Sequence, residues 1–486
     1  MRRAVVAGVT CLLVGGVGYA AADVVDLAPG VLTHDGASID PPTPTGSASA
    51  SPSWVPLPAA AGSGPSPDGT STPTPSAAGT PPTTAGLTKA LGALAKDPWL
   101  GPSVGISVRD GLTGTELYAV DPATPRAPAS TTKILSAFAA VRSLDLDARM
   151  STRVVTGGTP GEIVLVAGGD TMIGDGPSNP DVVPGHAGLA TLADEVAASL
   201  RSRGAGPVTL RVDATYAAGP RLPAKWKAID VRDGFTQGVA MLGRASQRPR
   251  IGTPSVAVAE DSVAASLGAL LNKRGVSTTV TPIRGHGTPA PAAAQELGSV
   301  ESATYREVLD LALTVSDDAL TENLVRQAMV SVGQSPAALL APPNFVRSTL
   351  AAAGVTTAGM ATLDTSGLAY GQFVSASTIS EVLALATSGR EPDLQAAVAK
   401  LPVAGLTGTL SKRYQSSTTK SVAGIPRAKT GTLTGISSLA GTTVTADGRL
   451  LTFTILADRV PPSSGTLGAR AALDRFVTAL TLCGCR

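Results

Sequence analysis

Ser130 and Lys133 carry the strongest chemical signal in the chain. They lie in Pro128-Ala129-Ser130-Thr131-Thr132-Lys133, directly before the apolar-periodic run Ile134 to Val141. Residues three apart share a helix face, so a hydroxyl at the mouth of a buried helix and an amine one turn later fall within hydrogen-bond reach. Free backbone N–H groups at the helix start favour an anion beside the serine, such as the oxyanion of a tetrahedral intermediate. A lysine used as base must give up its proton, which burial and a second cation nearby promote. The pattern therefore predicts a serine nucleophile with its own base, and a second lysine elsewhere. The same tetrapeptide recurs at Ser417-Thr418-Thr419-Lys420, but Gly424 and Pro426 come after it and forbid a long helix. Ser130 is the candidate, and Ser417 serves as a control.

The second lysine is Lys429, in Lys429-Thr430-Gly431-Thr432. Ile436 to Thr445, the Asp447-Gly448 turn and Leu450 to Leu456 come next, reading with Lys429 as three successive antiparallel strands closed by a helix from Leu467 to Leu482. A glycine on a sheet edge leaves room for a substrate backbone to pair as an extra strand. Lys429 can attract a carboxylate and help keep Lys133 neutral. A third stretch, Ser316-Asp317-Asp318, breaks the helical runs Tyr305 to Leu313 and Ala319 to Val330. It offers a second hydroxyl to a site, and it also reads as an ordinary helix N-cap.

With 486 residues, 43% hydrophobic and 15% charged, the chain can bury a large core or several ordinary ones. A net charge of +2 argues against nucleic acid and acidic partners, and an aromatic content of 3% against a binder of sugars or bases by stacking. Three cysteines, Cys11, Cys483 and Cys485, exclude a disulfide framework, and Cys483-Gly484-Cys485 reads as either a tight disulfide or two free thiols. His34, His186 and His286 lack metal-ligand spacing, so no metal or cofactor is expected.

Arg2 and Arg3 precede an apolar stretch from Ala4 to Ala22, the layout of an export signal or an uncleaved membrane anchor over residues 1–33. Residues 34–86, rich in Pro, Ser and Thr, read as a disordered linker, and the folded part of the chain is expected outside the cytoplasm. Folded sequence begins near Leu87 with a helix to Lys96 and a hairpin of Ser103 to Arg109 with Glu116 to Val120. Gly101-Pro102-Ser103-Val104-Gly105 fits G-x-S-x-G, but a nucleophile elbow needs a strand before its serine, whereas a strand begins here. Residues 150–300 read as a module inserted into a serine domain of 87–149 and 301–486. Strands are expected at Arg153 to Val155, Glu162 to Val166, Val208 to Val212 and Ser255 to Val258, with a helix from Asp261 to Leu271.

Ser130-x-x-Lys133, Ser316-Asp317-Asp318 and Lys429-Thr430-Gly431, in this order, resemble the penicillin-binding serine peptidases. With about 180 residues between Lys133 and Ser316, the chain most resembles the low-molecular-mass class C D-alanyl-D-alanine carboxypeptidases and endopeptidases. Arg221-Leu222-Pro223, Asp364-Thr365-Ser366-Gly367-Leu368 and Leu401-Pro402-Val403-Ala404-Gly405 with Gly408-Thr409-Leu410 match as well. The resemblance implies an α+β fold (an α/β sandwich): a β-lactamase/transpeptidase-like domain with a five-stranded antiparallel sheet flanked by helices, plus an inserted β-rich domain. It implies that Ser130 forms an acyl-enzyme on peptidoglycan stem peptides with Lys133 as base, while Ser316 relays the proton to the leaving D-alanine. Lys429, Thr430 and Thr432 then hold the terminal carboxylate, the N–H groups of Ser130 and Thr432 form the oxyanion hole, and β-lactams acylate the same serine.

Position 318 departs from the family, whose middle motif ends in Asn. An amide donates to a substrate carbonyl and an ionised carboxylate does not. Asn323, the nearest substitute, lies five residues on, about 140° round a helix, and is expected to face elsewhere. A β-lactamase or esterase on the same scaffold, or a catalytically weak wall-binding protein, are the alternative readings.

Overall fold

Apolar periods of 3.6 and 2 alternate along the described residues, 79–485, of this computed structural model. The expected export segment and nearly all of the expected linker lie outside the described residues. Along the chain, α1 (Thr84–Leu91) precedes β1 (Val104–Asp110) and β2 (Glu116–Val120), and a 3-10 turn (Ala129–Thr131) leads into α2 (Thr132–Val141). Next come β3 (Arg149–Thr156), β4 (Glu162–Val166), α3 (Leu189–Ser202), β5 (Val208–Asp213), α4 (Ala228–Arg232), α5 (Ala259–Lys273), β6 (Thr278–Val280) and β7 (Glu296–Thr304). Helices α6 (Tyr305–Val315), α7 (Asp318–Ser331), α8 (Ala341–Ala352), α9 (Ala376–Thr387) and α10 (Pro392–Ala399) succeed them. The chain closes with β8 (Arg427–Leu433), β9 (Ile436–Val444), β10 (Leu450–Ala457) and α11 (Gly465–Thr481). Among the described residues, no helix is long and apolar enough to cross a membrane.

The chain divides into two units, with the boundary inside α2: residues up to Ile134 with Ala358–Met360 and Phe373–Arg486, and Leu135–Thr357 with Ala361–Gln372. The first unit is built on a five-stranded antiparallel sheet in the order β2-β1-β10-β9-β8. Every residue of β10 is buried, because both faces of the sheet are covered. Alternation along β1 shows how. Ile106 and Val108 join Phe453, Ile455, Phe476 and Leu87 in one core, while Ser107 and Arg109 reach Ser380 of α9 at 2.8 and 2.9 Å.

The second unit holds a five-stranded mixed sheet, β6-β5-β4-β3-β7, in which β4, β5 and β6 run parallel. Parallel neighbours need a crossover, and α3 and α5 provide it. Leu192, Val196, Val263 and Leu267 from these helices meet Leu165, Leu210 and Val212 from the strands. Ser255 to Val258, expected as a strand, is irregular and leads straight into α5. Cys483 and Cys485 are joined by a disulfide.

Candidate active site

Ser130 lies in the 3-10 turn that leads into α2, and Lys133 occupies the first turn of that helix. The lysine side chain has no exposure and donates from Nζ to Ser130 Oγ at 3.0 Å. Ala129 holds a left-handed conformation (φ 46°), which costs a non-glycine residue about 1–3 kcal/mol. The surrounding bonds hold it there. Thr131 Oγ1 and Ser438 Oγ donate to the Pro128 carbonyl at 2.6 and 2.7 Å, and Thr132 Oγ1 donates to the Ala129 carbonyl at 2.9 Å.

Strand β8 is the sheet edge on which Lys429, Thr430, Gly431 and Thr432 lie. A Cβ at Gly431 would stand 2.8 Å from the Pro128 carbonyl oxygen, 3.0 Å from the Ser130 nitrogen, and against Ser438 Oγ. The glycine thus answers first to the close approach of the Ser130 backbone, a demand different from the substrate room expected of it. Side chains two apart on a strand share a face, so Lys429 stands on the Ser130 side of the sheet. It is wholly buried and donates to the Thr430 carbonyl at 2.9 Å. Thr430, on the other side, donates from Oγ1 to Thr409 Oγ1 at 2.8 Å. The start of this edge is covered: Ala428 N–H donates to Pro402 and Ala404 N–H to Pro426, both at 2.9 Å, with Val403 bridged to Arg427.

Ser316 and Asp318 belong to the second unit. Ser316 closes α6 in a left-handed conformation (φ 61°), its N–H donating to Ala312 O. Asp317 is the N-cap of α7, accepting from Leu320 N–H at 2.9 Å, so the N-cap reading of this triplet holds for its middle member. Asp318 opens α7 and is half-buried. Asn323 faces elsewhere, as its helical angle requires: its amide donates to the carbonyls of Ala240 and Gly169 at 2.8 and 3.1 Å.

One turn beyond Asp318, Glu322 accepts the N–H groups of Thr365 and Ser366 at 2.6 and 3.0 Å, while Ser136 Oγ donates to the Thr365 carbonyl. Asp364 accepts four donors at 2.7 Å each: Gly367 N, Ala369 N, Gln372 Nε2 and Trp226 Nε1. The 364–368 turn is thereby fastened to α2, to α7 and to Trp226. Burial, with Asp364 beside it, pushes Glu322 up to about 7 against the pull of Arg326 and the Thr365 N–H. Arg326 is drawn down to about 10 by burial.

Ser417 lies exposed in a turn, and no helix longer than the 3-10 piece Lys420–Val422 comes after it before β8. Ser103 precedes β1 and accepts from Arg126 Nε at 3.2 Å, which bears out its rejection as an elbow nucleophile. Sequence reasoning missed Ser438, and it named Thr409 only inside a segment matching the family, without a partner. Ser437-Ser438 in an otherwise apolar buried strand was the available signal, since buried hydroxyls need partners. Among the described residues, no group of His, Cys, Asp and Glu is placed to hold a metal ion.

The sequence matches the D-Ala-D-Ala carboxypeptidase 3 (S13) family over residues 87–244 and 242–480. A carboxypeptidase of Mycobacterium tuberculosis is 34% identical over 415 residues, which is 83% of this chain and 85% of that protein. A D-alanyl-D-alanine carboxypeptidase of Actinomadura sp. is 29% identical, covering 75% of this chain and 79% of its own. Penicillin binding protein 4 from Haemophilus influenzae, a solved structure 18% identical, shares the fold with a TM-score of 0.63 over 82% of this chain and 98% of that one. Because the family match runs through nearly all the described residues and the Mycobacterium relative through most of the chain, the protein belongs to the D-Ala-D-Ala carboxypeptidase 3 (S13) family of serine-type hydrolases.

Proposed function

We propose that Ser130 carries the acyl group of the DD-peptidase reaction, with Lys133 as its base. The observation that supports this most directly is the 3.0 Å contact between Lys133 Nζ and Ser130 Oγ, held against Gly431 of the edge strand. Lys133 takes the hydroxyl proton as Oγ attacks the carbonyl between the two D-alanines. The C–N bond breaks, a proton passes through Ser316 to the leaving amine, and the ester on Ser130 is then hydrolysed by water. Lys429 attracts the terminal carboxylate, with Thr430 and Thr432, whose side chains alternate to the other face of β8, meeting it across the strand edge, and the N–H groups of Ser130 and Thr432 stabilise the oxyanion. Asp318 takes the place of the family's amide.

Peptidoglycan stem peptides are the substrate class, and β-lactams acylate Ser130 in the same way. Residues 150–300 are an insertion in the serine domain. The wall lies outside the cytoplasm, and the apolar run Ala4 to Ala22 suits export or anchoring, which N-terminal sequencing of exported protein would separate.

The test is fluorescent penicillin on wild type and Ser130→Ala, followed by mass spectrometry of D-alanine released from a pentapeptide ending in D-Ala-D-Ala. Wild type should label and release D-alanine, and Ser130→Ala should do neither. Labelling of Ser130→Ala at the wild-type rate would overturn the assignment, and rapid turnover of penicillin without a lasting adduct would point to a β-lactamase.

A further inference from the structure

Asp317 is held from every side within its unit. Its N–H donates to the Ala312 carbonyl at 3.0 Å, its carbonyl accepts from Thr321 N–H and Oγ1 at 3.2 and 2.7 Å, and its Oδ1 caps α7 through Leu320. Its remaining oxygen, Oδ2, forms an ion pair with Nη2 of Arg248, both side chains being about nine-tenths buried (9% and 10% exposed). Arg248 comes from the 150–300 segment, where the well-buried Gln237 accepts from its Nη1 at 2.8 Å in the amide orientation that also lets Gln237 donate to the Gln247 carbonyl at 3.2 Å. Ser255 Oγ braces the same loop through the Thr236 carbonyl at 2.9 Å.

A buried ion pair adds little net stability over an apolar packing, but breaking it leaves an uncompensated charge. Its value is geometric. Ser316 sits between α6 and Asp317 in a left-handed corner that a serine seldom adopts, and the corner keeps its shape when Asp317 cannot swing. We propose that Arg248 is a positioning residue: by pinning Asp317 it fixes the Ser316 hydroxyl for proton delivery, so that the 150–300 segment completes the middle motif of the site. This rests on the reading of Ser316 as the proton relay.

The test resolves penicillin acylation into a binding constant and a first-order acylation rate, on variants whose melting is recorded alongside. Arg248→Met should lower the acylation rate about tenfold or more, since a small misplacement of a reacting group costs one to two orders of magnitude, while the binding constant stays within about twofold. Arg248→Lys should recover most of the rate. Arg248→Met combined with Asp317→Asn should be no slower than the slower single variant, because the two changes remove one interaction. If Arg248→Met does not fold, Asp317→Asn, which keeps the cap and gives up the charge, is judged by the same rate. A wild-type acylation rate in Arg248→Met, even with a lowered melting temperature, would overturn the proposal. Ser316→Ala, run in parallel, separates the two levels. A normal rate there defeats the relay reading itself, whereas a slow Ser316→Ala beside a normal Arg248→Met defeats the positioning role alone.

Discussion

Lys133 ends inside the protein against the Ser130 hydroxyl, and under the proposed mechanism the consequences of changing it are those of losing a base. Lys133→Ala should slow penicillin acylation by roughly 10²–10⁴-fold, the usual worth of a positioned base. Lys133→Arg should not restore it, because a guanidinium stays protonated. Gly431→Ala places a methyl within 3.0 Å of the Ser130 nitrogen and 2.8 Å of the Pro128 carbonyl, with backbone on both sides. Acylation should fall at least tenfold while Ser438→Ala, which removes a hydroxyl and adds no bulk, loses less. Asp318→Asn restores the amide of the family pattern and should acylate as fast as wild type or faster. A large loss of labelling in that variant would count against a passive role for the carboxylate. At this scale the sequence was legible where partners are near in the chain. Ser130 and Lys133 declare themselves by a spacing of one turn, whereas the Ser438 bond to Pro128, 310 positions away, and the Arg248 pair with Asp317 are set by the fold.

The elements of the first unit followed their apolar periods closely. β2, β9, β10 and the closing helix lie where apolar pattern and turn signals put them: β9 and β10 are continuous buried runs in the middle of the sheet, and β2, at its edge, buries only Tyr118 fully. The second unit was harder to read. β7 carries Glu296, Ser299 and Glu301 among its apolar residues, and α3 carries Asp194, Glu195 and Arg201. Ser255 to Val258 has strand propensity but joins no sheet, since the neighbouring loop uses Ser255 to brace Thr236.

One consequence of this packing is pH-dependent. Asp170, on the loop after β4, is completely buried, accepts the Met172 N–H at 2.7 Å, and is pushed up to about 7 by burial. Its folded value exceeds its unfolded one, so the stability it contributes is full below about pH 4 and is lost as pH rises through 7. Asp170→Asn should therefore flatten the fall in stability between about pH 4 and 7, a difference of roughly 2–4 kcal/mol. Equal slopes for the two proteins would refute it.

For the molecule as a whole, the order of the three motifs was readable and their surroundings were not. Order survives in one dimension, and it carried the family resemblance that implied the antiparallel sheet of five. The partition of the chain is a different matter, since residues 361–372 fold with the unit that contains α7 while 373–486 fold with the edge strand. That exchange rests on bonds such as Trp226 to Asp364 at 2.7 Å, spanning 138 positions. Trp226→Phe keeps one aromatic ring but deletes the indole donor with its five-membered ring, leaving a buried carboxylate oxygen one partner short. It should lower the melting point by an amount equivalent to about 1–3 kcal/mol, measured by calorimetry at fixed pH.

The edge strand is bridged at its start by Pro402 to Ala404, and beyond Ala428 no further strand pairs with its outer side among the described residues. A peptide that paired with this edge and rested its final carboxylate at Lys429, as proposed, would run away from that bridged start towards Leu433. The enzyme would measure from the tip of its substrate, and peptides lengthened past the terminal residue should be refused however well the rest of their chain fits.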